Sequence, residues 1–115
     1  MITVYGIPNC DTVKKARTWL SEHGVDHTFH DFKKQGLPEA ALDRWLAAAG
    51  WETVINRKGN TWRQLQDTTR AGVTDAAGAR AVALESPSVI KRPVVEWANG
   101  DITVGFDAAA WQTRI

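Results

Sequence analysis

The chain holds one cysteine, Cys10, in the run Tyr5-Gly6-Ile7-Pro8-Asn9-Cys10-Asp11-Thr12-Val13. A β-favouring segment closes at Gly6 and Pro8, and Asn9, Asp11 and Thr12 are all helix-capping types. Cys10 is therefore expected at a strand-to-helix turn, its sulfur beside the free backbone N–H groups of Thr12 and Val13. Such a position favours the thiolate, the form that attacks disulfides and oxyanions. Asp11 works against it if its carboxylate turns toward the sulfur, so cations from elsewhere would have to restore the balance. The other reading of a lone cysteine is a small, inert core residue. Either way no intrachain disulfide can form, and a free thiol suits a reducing compartment.

Two arginines are candidates for the cationic help. Arg92 stands immediately before Pro93 at the entrance to an expected strand, and Arg57 lies in the basic run Asn56-Arg57-Lys58-Gly59-Asn60. The guanidinium fork can hold a tetrahedral oxyanion or a carboxylate through two bonds. The alternatives are a solvated surface charge for Arg57 and an exposed strand-end residue for Arg92. Pro93 is either an edge-strand proline or a cis proline that shapes a site. The three histidines make no metal site, because His23 ends a helix and His27 and His30 fall on opposite faces of a strand. The six tryptophans read as packing anchors, with at most Trp62 near a site.

The elements that must position these residues follow from pattern. Ile2 to Tyr5 reads as a strand, and a helix follows with Val13, Ala16 and Leu20 at helical spacing until Gly24. Val25 to Asp31 alternates as a second strand, parallel to the first across a helical crossover. From Pro38, in a first helical turn, Leu42, Trp45, Leu46 and Ala49 make one apolar stripe ending at Gly50. Shorter helices are expected over Thr61 to Gln66 and Thr74 to Leu84, the second with Ala76, Ala79, Val82 and Ala83 on one side, and Asn56 to Asn60 is expected as an exposed loop between helices. Val94 to Trp97 and Asp101 to Val104 flank Ala98-Asn99-Gly100, a hairpin signal, and Asp107 can cap a last helix carrying Trp111. The order is βαβ, a helical insertion at about 37–86, then ββα. That is an α/β, thioredoxin-like outline with a small mixed four-stranded sheet.

At 115 residues the chain fits one domain, with no expected internal boundary. Fourteen Lys and Arg nearly balance thirteen Asp and Glu, so neither a nucleic-acid nor a membrane charge footprint is present. Met1 to Tyr5 reads as a strand rather than a signal peptide, so the protein is expected in the cytoplasm.

Three landmarks in order, Tyr5 to Ala16, Asn56-Arg57-Lys58-Gly59 and Ile90-Lys91-Arg92-Pro93-Val94-Val95, resemble those of the arsenate reductase (ArsC)/Spx superfamily, and Gly50-Trp51-Glu52 and Thr61-Trp62-Arg63-Gln64-Leu65 are similar to its YffB-like branch. The resemblance spans essentially the whole chain. It implies a thioredoxin fold with a helical insertion, Cys10 as nucleophile, Arg57 and Arg92 as oxyanion-site partners, and Pro93 as a cis proline beside the cysteine. Asn9, Thr12 and Pro93 are then expected to contact substrate. The branch is associated with glutathione-dependent thiol reduction, with glutathione as co-substrate, glutathione or glutaredoxin as partner, and no tightly bound cofactor. RNA polymerase is the partner in the alternative, Spx-like reading, a binding module without efficient catalysis. Two departures bear on chemistry. Arsenate reductases carry a third arginine in the last strand region, where this chain has Val104-Gly105-Phe106, and Spx regulators carry Cys-x-x-Cys, where this chain has Val13.

Overall fold

A computed structural model describes residues 1–115. Its contacts divide the chain into two compact units, Met1–Gly36 with Arg92–Ile115, and Leu37–Lys91.

The first unit is built on strands β1 (Ile2–Gly6) and β2 (His27–Asp31), joined by helix α1 (Asp11–Glu22), with the four-residue helix α2 (Phe32–Gln35) after β2. The expected helical stripe is the buried one, since Val13, Ala16 and Leu20 have no exposed surface. Strand β2 begins two residues later than its alternation suggests, at His27 rather than Val25. Strands β1 and β2 run parallel, with Gly6 opposite Asp31. Gly6 has a steric role, because a Cβ there would lie 2.8 Å from Val13 Cγ2. Its missing side chain lets the first turn of α1 close onto the end of β1.

Five further helices and one 3₁₀ turn precede the last helix, and they belong to the second unit. They are α3 (Glu39–Ala49), α4 (Trp51–Val54), α5 (Asn60–Gln64), α6 (Asp67–Ala71) and α7 (Ala76–Glu85), the last followed by the turn Pro87–Val89. Leu42 and Trp45 of α3 and Ala79 and Ala83 of α7 are buried, and Arg80 of α7 joins Asp43 and Glu39 of α3 at 2.7 and 3.0 Å. Sequence patterning missed α4 and α6, which are too short to show a period. Pro38 is the N-cap of α3 rather than part of its first turn, and Asp75, not Thr74, caps α7 by accepting from Gly78 N–H at 2.9 Å. That cap starts α7 two residues late, which leaves Ala76 exposed rather than on the packed side.

The chain returns to the first unit as β3 (Val94–Glu96), β4 (Ile102–Val104) and α8 (Ala108–Gln112). Both strands are antiparallel to their neighbours, and the sheet order is β2-β1-β3-β4. The fold is α/β and thioredoxin-like, with a mixed four-stranded sheet. Ile2, Val4, Ala16, Leu20, Val95, Trp97 and Trp111 form the core of this unit, flanked by Trp19, Val25, Phe29 and Phe106. Trp97 and Trp111 meet edge to face at 5.1 Å, as do Trp19 and Trp111 at 5.8 Å. No helix is long and apolar enough to cross a membrane.

Candidate active site

Cys10 is itself the N-cap of α1, with extended backbone (φ −137°, ψ 122°), and its carbonyl accepts the first helical bond from Lys14 N–H at 2.9 Å. The flanking Asn9, Asp11 and Thr12, all expected as capping types, do not take that place. The sulfur makes no capping bond to the first turn, so the N–H groups of that turn remain directed out of the helix end without a side-chain acceptor. Cys10 is half-buried, which separates it from an inert core residue, and Pro8, Asn9, Asp11 and Thr12 around it are exposed.

Strand register brings the Arg92-Pro93 segment to the same end of the sheet. Tyr5 lies opposite Val94, so the chain leaving β1 toward Cys10 and the chain entering β3 from Arg92 emerge side by side. The Arg92–Pro93 bond is cis. Strand β3 lies between β1 and β4, so the edge-strand reading of Pro93 does not apply. Arg92 is half-buried with its Nε shielded from solvent, not an exposed strand-end residue. Across the next strand pair, Gly105 N–H donates to the Pro93 carbonyl at 2.8 Å.

Arg57 lies in the second unit. The turn that carries it is tied down by the Ile55–Ile90 bridge, with Asn56 N–H on the Val89 carbonyl and Lys91 N–H on the Val54 carbonyl, both at 2.8 Å. The Asn56 side chain accepts from Lys58 N–H at 3.2 Å, and a Cβ at Gly59 would meet Asn56 Nδ2 at 2.8 Å, so Asn56 and Gly59 are the residues that shape the tight turn. Arg57 stacks 5.1 Å above Trp51 and pairs with Glu52 at 3.4 Å, its side chain 47% exposed. Trp62 is half-buried in α5.

Each histidine is occupied locally: Nδ1 of His23 with the Trp19 carbonyl at 2.7 Å, Nδ1 of His27 with the Val25 carbonyl at 3.3 Å, Nε2 of His30 with the Gly36 carbonyl at 2.8 Å. No group of three His, Cys, Asp or Glu side chains converges as a metal site. One charged residue escaped the sequence reading. Arg17 of α1 sits with its guanidinium 4.2 Å above the Phe29 ring, and its place seven residues after Cys10, two helical turns, was the available signal.

A sequence model of the ArsC family matches residues 5–114. The solved structure of the YFFB protein is 47% identical, covers 98% of this chain and 97% of that one, and superposes with a TM-score of 0.93. The solution structure of an arsenate reductase (ArsC) related protein from Brucella melitensis is 51% identical, with a TM-score of 0.76 and coverage of 97% and 92%. The global transcriptional regulator Spx of Streptococcus pyogenes is 28% identical over 98 residues, covering 83% of this chain and 71% of that one. With the family match running nearly end to end, and the strand-to-helix cysteine set on an arsenate-reductase-related fold, the chain belongs to the ArsC family.

Proposed function

We propose that this chain is a glutathione- or glutaredoxin-dependent thiol reductase of a cytoplasmic, reducing compartment, with Cys10 as its single nucleophile. The observation that supports it most is the placement of a half-buried Cys10, at the start of a twelve-residue helix, on the same sheet end as Arg92. The Cys10 thiolate attacks the glutathione sulfur of a mixed disulfide. The S–S bond breaks, the substrate thiolate leaves and takes a proton from water, and Cys10 carries the glutathionyl group. A second glutathione thiolate, or a glutaredoxin thiolate, then attacks the glutathionyl sulfur; the bond to Cys10 breaks, oxidised glutathione or the glutaredoxin mixed disulfide forms, and the Cys10 thiolate is restored. A lone cysteine requires this external resolving thiol. Arg92 holds an anionic part of the substrate, Arg57 joins it as the resemblance implies, and Asn9, Thr12 and Pro93 bound the sulfur to be attacked.

Turnover of a glutathionylated peptide by glutathione tests the reading. Cys10→Ser should be inactive, and Arg92→Gln and Arg57→Gln should each lower kcat/KM by about 10- to 100-fold, the worth of a hydrogen bond to a charged group. Wild-type turnover no faster than that of Cys10→Ser would overturn it. The Spx relative favours a second reading, in which the chain binds RNA polymerase and Cys10 is a redox sensor or a relic. Stoichiometric recovery of RNA polymerase subunits on the immobilised protein, without thiol turnover, would replace the first reading by the second.

A further inference from the structure

Arg17 poses a problem that the fold alone does not solve. It is half-buried between α1 and β2, its guanidinium lies on the Phe29 ring at 4.2 Å, and its buried Nε–H finds no acceptor. It makes no ion pair. A guanidinium partly withdrawn from water normally has an anion beside it. Lys14, exposed and also without an ion pair, precedes it by one turn and follows Cys10 by one turn. At about 100° per residue, Cys10, Lys14 and Arg17 fall within roughly 60° of one another around α1. Side chains on a helix lean toward its N-terminus, so both cations reach back toward Cys10.

We propose that Lys14 and Arg17 form an anion subsite along α1 that takes a carboxylate of a glutathionyl group bonded to Cys10. The inference rests on the thiol-reductase reading for its ligand. The spacing suits it: the two cations stand roughly 6 and 10 Å along the helix from Cys10 at a rise of about 1.5 Å per residue. A tripeptide extends about 10 Å, which puts its terminal carboxylates within that interval of its sulfur. Phe29 and the buried Nε fix the guanidinium plane, so Arg17 presents a set direction rather than a mobile charge.

Stoichiometric exchange separates this inference from turnover. The Cys10 thiolate attacks oxidised glutathione, forming the Cys10–glutathione disulfide and releasing one glutathione thiolate, and mass spectrometry follows the adduct with time. Hydroxyethyl disulfide, which is uncharged, undergoes the same exchange without a carboxylate. The ratio of the two rates should fall about two- to fivefold in Lys14→Gln and in Arg17→Gln, the worth of an exposed charge pair, with the neutral rate unchanged. Lys15→Gln, one residue on and about 100° around the helix, should leave the ratio alone. Raising the salt should shrink the wild-type ratio toward that of the variants. Should Arg17→Gln fail to fold, Lys14→Gln and Arg17→Lys decide, since Lys14 is on the surface and Arg17→Lys keeps the charge. An unchanged ratio in Lys14→Gln, or an equal loss with both disulfides, would overturn the subsite. A protein that shows the expected ratios but no turnover would keep the subsite and discard the enzyme.

Discussion

Gly105, which donates to the Pro93 carbonyl, has a φ of 88°, a backbone conformation that side chains resist. Gly105→Arg, the direct way to restore a third cation, would carry that strain, on the order of 1–3 kcal/mol, into the sheet end that holds Cys10. We expect the variant to unfold at lower urea than wild type, and its midpoint checks this. Wild-type arsenate reduction should in turn be slower than reduction of a glutathione mixed disulfide on the same preparation. An oxyanion needs several converging donors, whereas each carboxylate of glutathione can be held by one arginine. Gly6 makes the opposite kind of demand. Gly6→Ala would press a methyl group to 2.8 Å from Val13, and the resulting overpacking should cost about 1–3 kcal/mol in denaturant unfolding. Of the candidate residues, Cys10 was legible from its neighbours as a strand-to-helix cysteine. Arg17 was not, because its significance depends on Phe29, twelve positions away, lying under it.

Elements announced themselves in sequence where a local signal had a local cause. Asn99-Gly100 marks the β3–β4 hairpin because Gly100 adopts φ 93° and Asn99 closes the turn on Asp101 N–H at 3.0 Å. Asp107 marks α8 because it accepts from Ala110 N–H at 3.2 Å. Asp107→Ala should therefore lower stability by about 1 kcal/mol and Asp107→Asn by much less, as thermal unfolding would show. Helix α2 lacked such a signal. It is held by Asp31, 7% exposed, which accepts from Lys33 N–H at 2.8 Å, while Gln35 reaches back to Asp31 N–H at 3.0 Å. In sequence Asp31 reads as the last residue of a strand, and it is that as well. The segment from α5 to α6 is likewise organised by one side chain: Arg70 donates to the carbonyls of Trp62, Arg63 and Leu65 and pairs with Asp67. A guanidinium gathering the carbonyls at the end of α5 has no spacing rule that patterning could detect.

For the molecule as a whole, the broad outline was legible because periodicity and turn signals survive without tertiary context. The division into two contact units was not, since it depends on which helices bury one another. Each unit holds about 60 residues or fewer, a size at which one core alone is marginal. We propose that the chain nevertheless unfolds as a single domain, with coincident transitions by circular dichroism and fluorescence and equal calorimetric and van't Hoff enthalpies. Acid should weaken one long-range tie. Hydrogen bonds from Arg114, and then from Asn99, hold the Asp101 carboxyl below its ordinary value of 3.8. Because that value is depressed in the folded state, the contribution is complete above about pH 4 and is lost as pH falls through the folded value. Arg114→Gln should raise the Asp101 midpoint in a carbon-detected titration.

The edge-to-face contacts of Trp19, Trp97 and Trp111 give this molecule an optical property of its own. Indoles 5.1 and 5.8 Å apart in a fixed chiral arrangement share their electronic excitations instead of absorbing separately. The first unit should therefore show an exciton couplet, two lobes of opposite sign, in its circular dichroism. Trp111 belongs to both pairs, so Trp111→Phe, which keeps an aromatic ring in place, should remove the couplet while leaving the helical bands. All three of these indoles lie in the first unit, so the couplet would report the assembly of the Cys10-bearing unit.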